Sequence, residues 1–139
     1  MINIVKCDIV SAESTIFSGN IIKIIVTGIE GELCIMPGHA PLLTTLLPAP
    51  VKIFCEGGEK EIFYISSGFL EIQPNLISIL SDVALRAIDL DEYDSKKAYE
   101  QAKQLINNVY SNLEFKNALI EIAKALARLR TIKMLKNNH

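Results

Sequence analysis

The hydrophobic period of this chain changes once, near residue 90, and that change limits what it can fold into. Upstream, apolar residues come in short strand-like runs. Val5, Cys7 and Ile9 alternate with Lys6 and Asp8. Residues 21–27 (IIKIIVT) are β-branched and continuous. Residues 51–55 (VKIFC) and 61–65 (EIFYI) flank Gly57-Gly58, and residues 69–72 and 76–80 (LISIL) flank Pro74-Asn75. Each pair reads as a hairpin, because Gly and Pro-Asn supply the backbone angles a tight turn needs. No helix-length segment intervenes before residue 88. The pattern predicts an all-β sandwich, or flattened barrel, of about ten antiparallel strands.

Downstream the period becomes helical. Asp91 is placed to cap a helix, with Glu92 and Asp94 in its first turn, where negative charge suits the helix dipole. Ala98, Ala102, Leu105 and Val109 follow at steps of four, three and four. Asn107-Asn108 and Ser111-Asn112 mark a stop and a turn. Phe115, Leu119, Ile122, Leu126 and Leu129 then form a second amphipathic stripe. A short polar turn between two such segments predicts an antiparallel two-helix hairpin. Its facing residues include Ala98, Ala102, Ala118 and Ala125. At about 25 cal/mol per Å² of apolar area, an alanine seam stabilises far less than a leucine seam. The hairpin is therefore expected to lean on the sandwich and to be able to leave it.

The 139 residues are 50% hydrophobic, enough for a packed core, and their formal net charge is −2. That balance argues against a general nucleic-acid binder. The charge is uneven. Residues 1–112 hold 8 Lys/Arg and 14 Asp/Glu, while residues 113–139 hold 6 and 2. An acidic body with a basic tail points to a negatively charged partner for the tail. Cys7, Cys34 and Cys55 are odd in number and sit among apolar residues, so free thiols are expected. No CxxC or Cys/His cluster predicts a metal site. The start lacks a signal or transit pattern. Residues 33–51 are uncharged but hold Pro37, Pro41, Pro48 and Pro50, which a spanning helix does not tolerate. The chain reads as soluble, with any membrane association coming through a partner.

Candidate chemistry is sparse. The Gly28–Gly31 stretch carries Glu30 and Glu32, which repel phosphate, so it reads as a tight turn rather than a P-loop. The same two carboxylates read as an acidic contact edge. The histidines are His39 and His139. Cys34 and His39 would need an orienting carboxylate to make a hydrolase, and no pattern supplies one. The basic residues Lys124, Arg128 and Lys133 fit either a solvated helix face or a partner-binding one.

A resemblance enters with residues 27–42, TGIEGELCIMPGHAPL. They resemble the T-G-x-x-G-E-x-G-I-x-P-G-H-A-P-L pattern of the epsilon subunits of bacterial F-type ATP synthases. Asp8-Ile9-Val10-Ser11-Ala12-Glu13 with Phe17-Ser18-Gly19, Gly68-Phe69-Leu70-Glu71-Ile72, Asp89-Leu90-Asp91-Glu92 and residues 123–130 (AKALARLR) match in register. Cys34 departs from the pattern, standing where the family usually has glycine.

The resemblance implies a non-catalytic rotor subunit without metal or cofactor, at the cytoplasmic face of the bacterial membrane. Residues 1–88 would bind the gamma subunit and rest on the c-ring. Residues 89–139 would form a regulatory hairpin that extends into the alpha/beta catalytic head and opposes ATP hydrolysis. Glu30 and Glu32 would face the ring, and Ser11, His39 and Thr44 the gamma and ring contacts. Lys124, Arg128, Arg130 and Lys133 would meet the catalytic head. Some relatives bind ATP through an Ile/Leu-Asp-x-x-Arg-Ala motif. Here Leu90 and Asp91 match, but Asp94 and Ser95 replace Arg and Ala, while Lys124 and Arg128 keep positive charge. Weak ATP binding or none is expected. The alternatives are a freestanding sandwich module whose basic helix binds another acidic partner, and a small cysteine hydrolase built on Cys34 and His39.

Overall fold

The long strand β2 (Thr15–Gly28) organises the molecule, because it is shared by two layers. Its first half pairs with β1 (Val5–Ser11), from Thr15 opposite Val10 to Ile21 opposite Val5. Its second half pairs with β3 (Gly31–Ile35) on one side and β5 (Ala49–Cys55) on the other. A register shift between Ile21 and Lys23 marks the passage between layers. β1 continues through β8 (Leu76–Ser81) and β7 (Gly68–Gln73) to β4 (Leu42–Leu46), while β5 continues through β6 (Lys60–Ile65) to β9 (Ala84–Arg86). This computed structural model describes residues 3–108 and 111–137. The expected helix position Val109 and the second histidine, His139, lie outside those residues.

Both predicted hairpins form, as β5–β6 and β7–β8. One detail differs from the sequence expectation. The described residues hold nine strands, in line with the expected number, but β1 runs parallel to β8, from Lys6 opposite Leu76 to Ser11 opposite Ser81. Hairpin signals report only local antiparallel neighbours. A parallel neighbour about 70 residues away leaves no local trace.

One hydrophobic core fills the space between the layers. Cys7, Ile9, Leu70, Ile77 and Ile79 face Ile21, Ile24, Val51, Ile53, Phe63 and Ile65. Every buried member of this cluster falls between Val5 and Ala84. No helical residue belongs to it.

After β9 a 3₁₀ turn (Ala87–Asp89) leads into α1 (Glu92–Ile106) and α2 (Asn112–Asn137). Asp91 caps α1 as predicted, its carboxylate accepting the Asp94 N–H at 2.9 Å. Ser111 does the same for α2, its hydroxyl accepting the Glu114 N–H at 3.1 Å. α1 packs on α2, and α2 packs on β5, β6 and the 3₁₀ turn. β6 is consequently buried on both faces. Phe63 and Ile65 point into the core, and Ile62 and Tyr64 lie outside it.

The buried face of α2 follows the alanine seam expected from the sequence more than the stripe of large residues. Ala118, Ala125 and Ile132, seven residues apart, are buried with Ala127 and Thr131. Phe115, Leu119 and Leu126 are exposed at 42%, 44% and 39%. Ile122 and Leu129 are half-buried. Small residues let the helices approach closely, so the alanines take the seam and the large side chains turn outward.

Candidate partner interface

A continuous row of paired residues crosses the sandwich from Ser11 to the acidic turn. Ser11 lies opposite Ser81, Ser81 opposite Gly68, Gly68 opposite Leu46, Leu46 opposite Gly28, and Gly28 opposite Gly31. Glu30 sits in the two-residue turn between Gly28 and Gly31, and Gly31 adopts a φ of 126° that favours glycine. Glu32 follows on β3. Both carboxylates are exposed. The Ser11 hydroxyl accepts the Glu13 and Ser14 N–H groups, both at 3.3 Å, and so fixes the β1–β2 turn.

Beside Ser11 an open groove of about 410 Å³ is lined by Val10, Thr45, Phe69, Leu80 and Asp82, among others. Phe69 and Leu80 are paired neighbours, 56% and 53% exposed, and Leu43 projects from the same outward register of β4. This is an apolar outer face, and such faces mark contact sites when they are contiguous. Thr44, the residue singled out in the sequence, is half-buried on the inward register with Leu42 and Leu46. Its neighbour Thr45 lines the groove. A missed signal was available: Leu42-Leu43, Phe69-Leu70 and Ile79-Leu80 place apolar residues on both faces of their strands.

His39 lies elsewhere, in the loop beyond the other end of β3. Pro37-Gly38 form the corner of a type II turn, with Gly38 at φ 89° and the His39 N–H donating to the Met36 carbonyl at 3.1 Å. The His39 ring Nδ1 is 2.7 Å from the Ala40 carbonyl oxygen. His39 and Cys34 are both exposed. The structure thus groups Ser11 with the Glu30 turn along one row and sets His39 apart. Cys7 is buried, and its thiol is pushed up to about 12, by burial first and Asp8 second.

The basic residues of α2 do not share one face. Arg128 turns onto the sheet, its guanidinium carbon 5.5 Å from the centroid of the Tyr64 ring, and its buried Nε has no hydrogen-bond partner. Burial pushes the Tyr64 hydroxyl upward, and the neighbouring Arg128 partly offsets that rise. Lys124 is half-buried and pairs with Glu121 at 3.7 Å. Arg130 and Lys133 are exposed. Tyr64 was not singled out in the sequence. Its signal was the unbroken apolar run 62–65, which is how a strand covered on both faces reads.

The residues matching the nucleotide motif do not converge. The Asp91 carboxylate is engaged in the cap of α1, accepting the backbone N–H of Asp94, and the buried Ser95 hydroxyl donates to the Asp91 carbonyl at 2.8 Å. The α2 cation at this end is Lys136, 2.6 Å from Glu92. Arg128 lies eight residues earlier on α2, about 12 Å along the axis, and Lys124 farther still.

Among the described residues no helix is long and apolar enough to cross a membrane. Nor does any group of three or more His, Cys, Asp or Glu stand together as a metal site.

Comparison with known proteins accounts for both halves. Residues 4–87 match the family model "ATP synthase, Delta/Epsilon chain, beta-sandwich domain", and residues 89–133 match "ATP synthase, Delta/Epsilon chain, long alpha-helix domain". The chain is 48% identical over 131 residues to the ATP synthase epsilon chain of Chromohalobacter salexigens, covering 94% of this chain and 93% of that one. Its fold is similar to a chain in the cryo-EM structure of the Euglena gracilis mitochondrial ATP synthase (OSCP/F1/c-ring). The TM-score is 0.81 at 20% identity, over 98% of this chain and 83% of that one. It also resembles a chain in the central stalk/c-ring structure of the Tetrahymena thermophila mitochondrial enzyme, with a TM-score of 0.65 at 15% identity, over 92% and 96%. With both of its parts matched and a close relative aligned over nearly its whole length, the chain belongs to the ATP synthase delta/epsilon chain family, as an epsilon-type subunit that is not itself catalytic.

Proposed function

We propose that this chain works in the central stalk, as a stiff coupling piece that carries a detachable brake. Residues 1–88 bind the gamma subunit and rest on the c-ring. Residues 89–139 regulate, leaving the sandwich to reach the alpha/beta head and oppose ATP hydrolysis. The observation that carries this reading is the self-contained core: its buried members run from Val5 to Ala84 and need no helix. Such a close-packed body transmits torque with little deformation. The burial pattern of α2 fits the same role. A helix that docks by alanines and exposes Phe115, Leu119 and Leu126 keeps its larger apolar face for another partner.

The outer face with Leu43, Phe69 and Leu80, beside Ser11 and Thr45, suits the gamma contact. The Glu30 and Glu32 turn suits polar loops of the ring. Association with the cytoplasmic face of a bacterial membrane then comes through the complex. ATP is not a ligand of the hairpin in this reading, because the Asp91 carboxylate is used in the cap, Asp94 adds a further negative charge beside it, and Arg128 is turned onto Tyr64. Calorimetry with submillimolar ATP is expected to show no saturable binding.

Mixing the purified chain with gamma is the direct test of the stalk assignment. A stable complex that is lost when Phe69 and Leu80 are both changed to Ser is expected. A chain that never associates with gamma would leave only the freestanding module.

A further inference from the structure

Two outward-facing rows run side by side across β1, β8, β7 and β4. In one, Val10 lies opposite Leu80, Leu80 opposite Phe69, and Phe69 opposite Thr45. In the next, Asp8 lies opposite Ser78, Ser78 opposite Glu71, and Glu71 opposite Leu43. The apolar row thus has carboxylates along one side. Asp82, two residues beyond Leu80, stands on its other side and lines the groove of about 410 Å³. Lys6 sits one row farther out, opposite Leu76. The Ser18 hydroxyl donates to Asp8 at 2.7 Å, and the Gln73 amide donates to Glu71 at 3.1 Å. Among the described residues none of the three carboxylates has an ion-pair partner. The hairpin leaves this face open, since α2 packs on the opposite layer, at β5 and β6.

An apolar row between unpaired carboxylates is complementary to an apolar seam between cations. The direction of the row decides the backbone of the occupant. Neighbouring strands are about 4.8 Å apart, so the row steps by that distance. A helix laid across the strands repeats every turn, about 5.4 Å. An extended segment shows one face every second residue, about 6.8 Å, and falls out of step sooner. Nor does such a segment find an edge here, because β1, β8 and β7 are each paired on both sides. The flanking carboxylates stand two residues along the strands from the row, about 7 Å away, beside a helix about 10 Å wide. Lysine and arginine stems there would cover apolar surface while their charged heads reach outward.

On the stalk reading above, on which this rests, we propose that the gamma segment seated on this face is a basic amphipathic helix. Its apolar seam lies on Val10, Leu80 and Phe69. Its Lys or Arg side chains meet Asp8 and Glu71 on one flank and Asp82 on the other.

Binding of purified gamma to the full-length chain at low and high salt tests this. The parent should bind more weakly as salt rises. Glu71→Lys with Asp82→Lys should weaken binding about tenfold or more at low salt, because like charges then face each other. Glu71→Gln with Asp82→Asn should slow association several-fold and flatten the salt dependence, with little change in dissociation. Glu59→Lys with Glu100→Lys makes the same change of net charge away from this face and should bind as the parent does. Circular dichroism confirms that all three variants fold. Hydrogen exchange of gamma in the complex should show its newly protected segment to be a helix with cations on both sides of an apolar stripe. A parent that does not bind gamma ends the stalk reading and this proposal together. A parent that binds through Phe69 and Leu80 but is indifferent to the two charge reversals ends this proposal alone, as does a protected segment of gamma that is extended. Protection of this face by a second copy of the chain, or by the c-ring without gamma, overturns it as well.

Discussion

The Arg128 guanidinium lies over the ring of Tyr64, which is only 2% exposed, and so joins the hairpin to the sandwich. Its net worth is small. A cation–π contact contributes about 0.5–2 kcal/mol, while the buried Arg128 Nε without a partner costs about 1–3 kcal/mol. A contact near balance holds the helix in one place without binding it firmly. Tyr64→Leu keeps an apolar side chain under α2 but removes the aromatic face. In the isolated chain it should speed amide exchange along α2 and leave the core strands unchanged. In the reconstituted enzyme it should deepen inhibition of hydrolysis, because release becomes easier. Equal exchange in α2 and the strands of the parent would refute a detachable hairpin.

Changing Lys124, Arg128 and Arg130 together to Ala should act in the opposite direction. The docking contact is weakened, but so is the charge that an acidic segment of the head would meet, and complementary charge holds and orients such contacts. ATPase rates of the reconstituted complex should rise with the triple variant. The parent's inhibition should also weaken as salt increases. Unchanged rates would remove the basic residues from the inhibitory contact.

The sandwich was legible in the sequence because its signals are local. Gly57-Gly58 and Pro74-Asn75 state where the chain reverses, and Asp91 states where the helix begins. The parallel partner of β1 was hidden, since no property of residues 5–11 names a strand at 76–81. The candidate faces were half legible as surface geometry. Glu30 and Glu32 announce an exposed acidic turn, but the choice between Thr44 and Thr45 is a one-residue question of register, and register flips every side chain. The α2 stripe misled for a physical reason. Periodicity finds the side with the large apolar residues, whereas the packed face is centred on the alanines the sequence also names, with Ile122 and Leu129 at its margin.

Glu92 closes the open end of the hairpin, accepting from Lys136 at 2.6 Å and facing Lys96 at 3.4 Å. Its carboxyl is held below the usual carboxylate range, mainly by the Lys136 hydrogen bond and then by that of Lys96. Because the folded value lies below the unfolded one, the contribution is complete above the unfolded value. It is lost as pH falls through the folded one. An NMR titration of the Glu92 side chain should show the depressed value in the parent. Lys136→Ala should return it toward the ordinary range, leaving the smaller effect of Lys96. A Glu92 that titrates identically in both proteins would show that the clasp does not form in solution.

Gly68 is the position where the sandwich tolerates least. A Cβ there would collide with the Leu80 carbonyl oxygen and come within 2.9 Å of the Ser81 Cα, and both are backbone that side-chain motion cannot relieve. Gly57, in the β5–β6 turn, has open space around it and no positive φ. Gly68→Ala should therefore cost about 2 kcal/mol or more, as overpacking against a fixed neighbour does, while Gly57→Ala should be near neutral. Urea unfolding midpoints measure the difference. The consequence reaches function, since Gly68 sits between Leu46 and Ser81 in the row that ends at Ser11. Pushing β7 off β8 separates Phe69 from Leu80, so the folded fraction of Gly68→Ala should also bind gamma more weakly. If it instead matched the parent in both stability and gamma binding, the close approach of the two strands would not be a requirement of the fold.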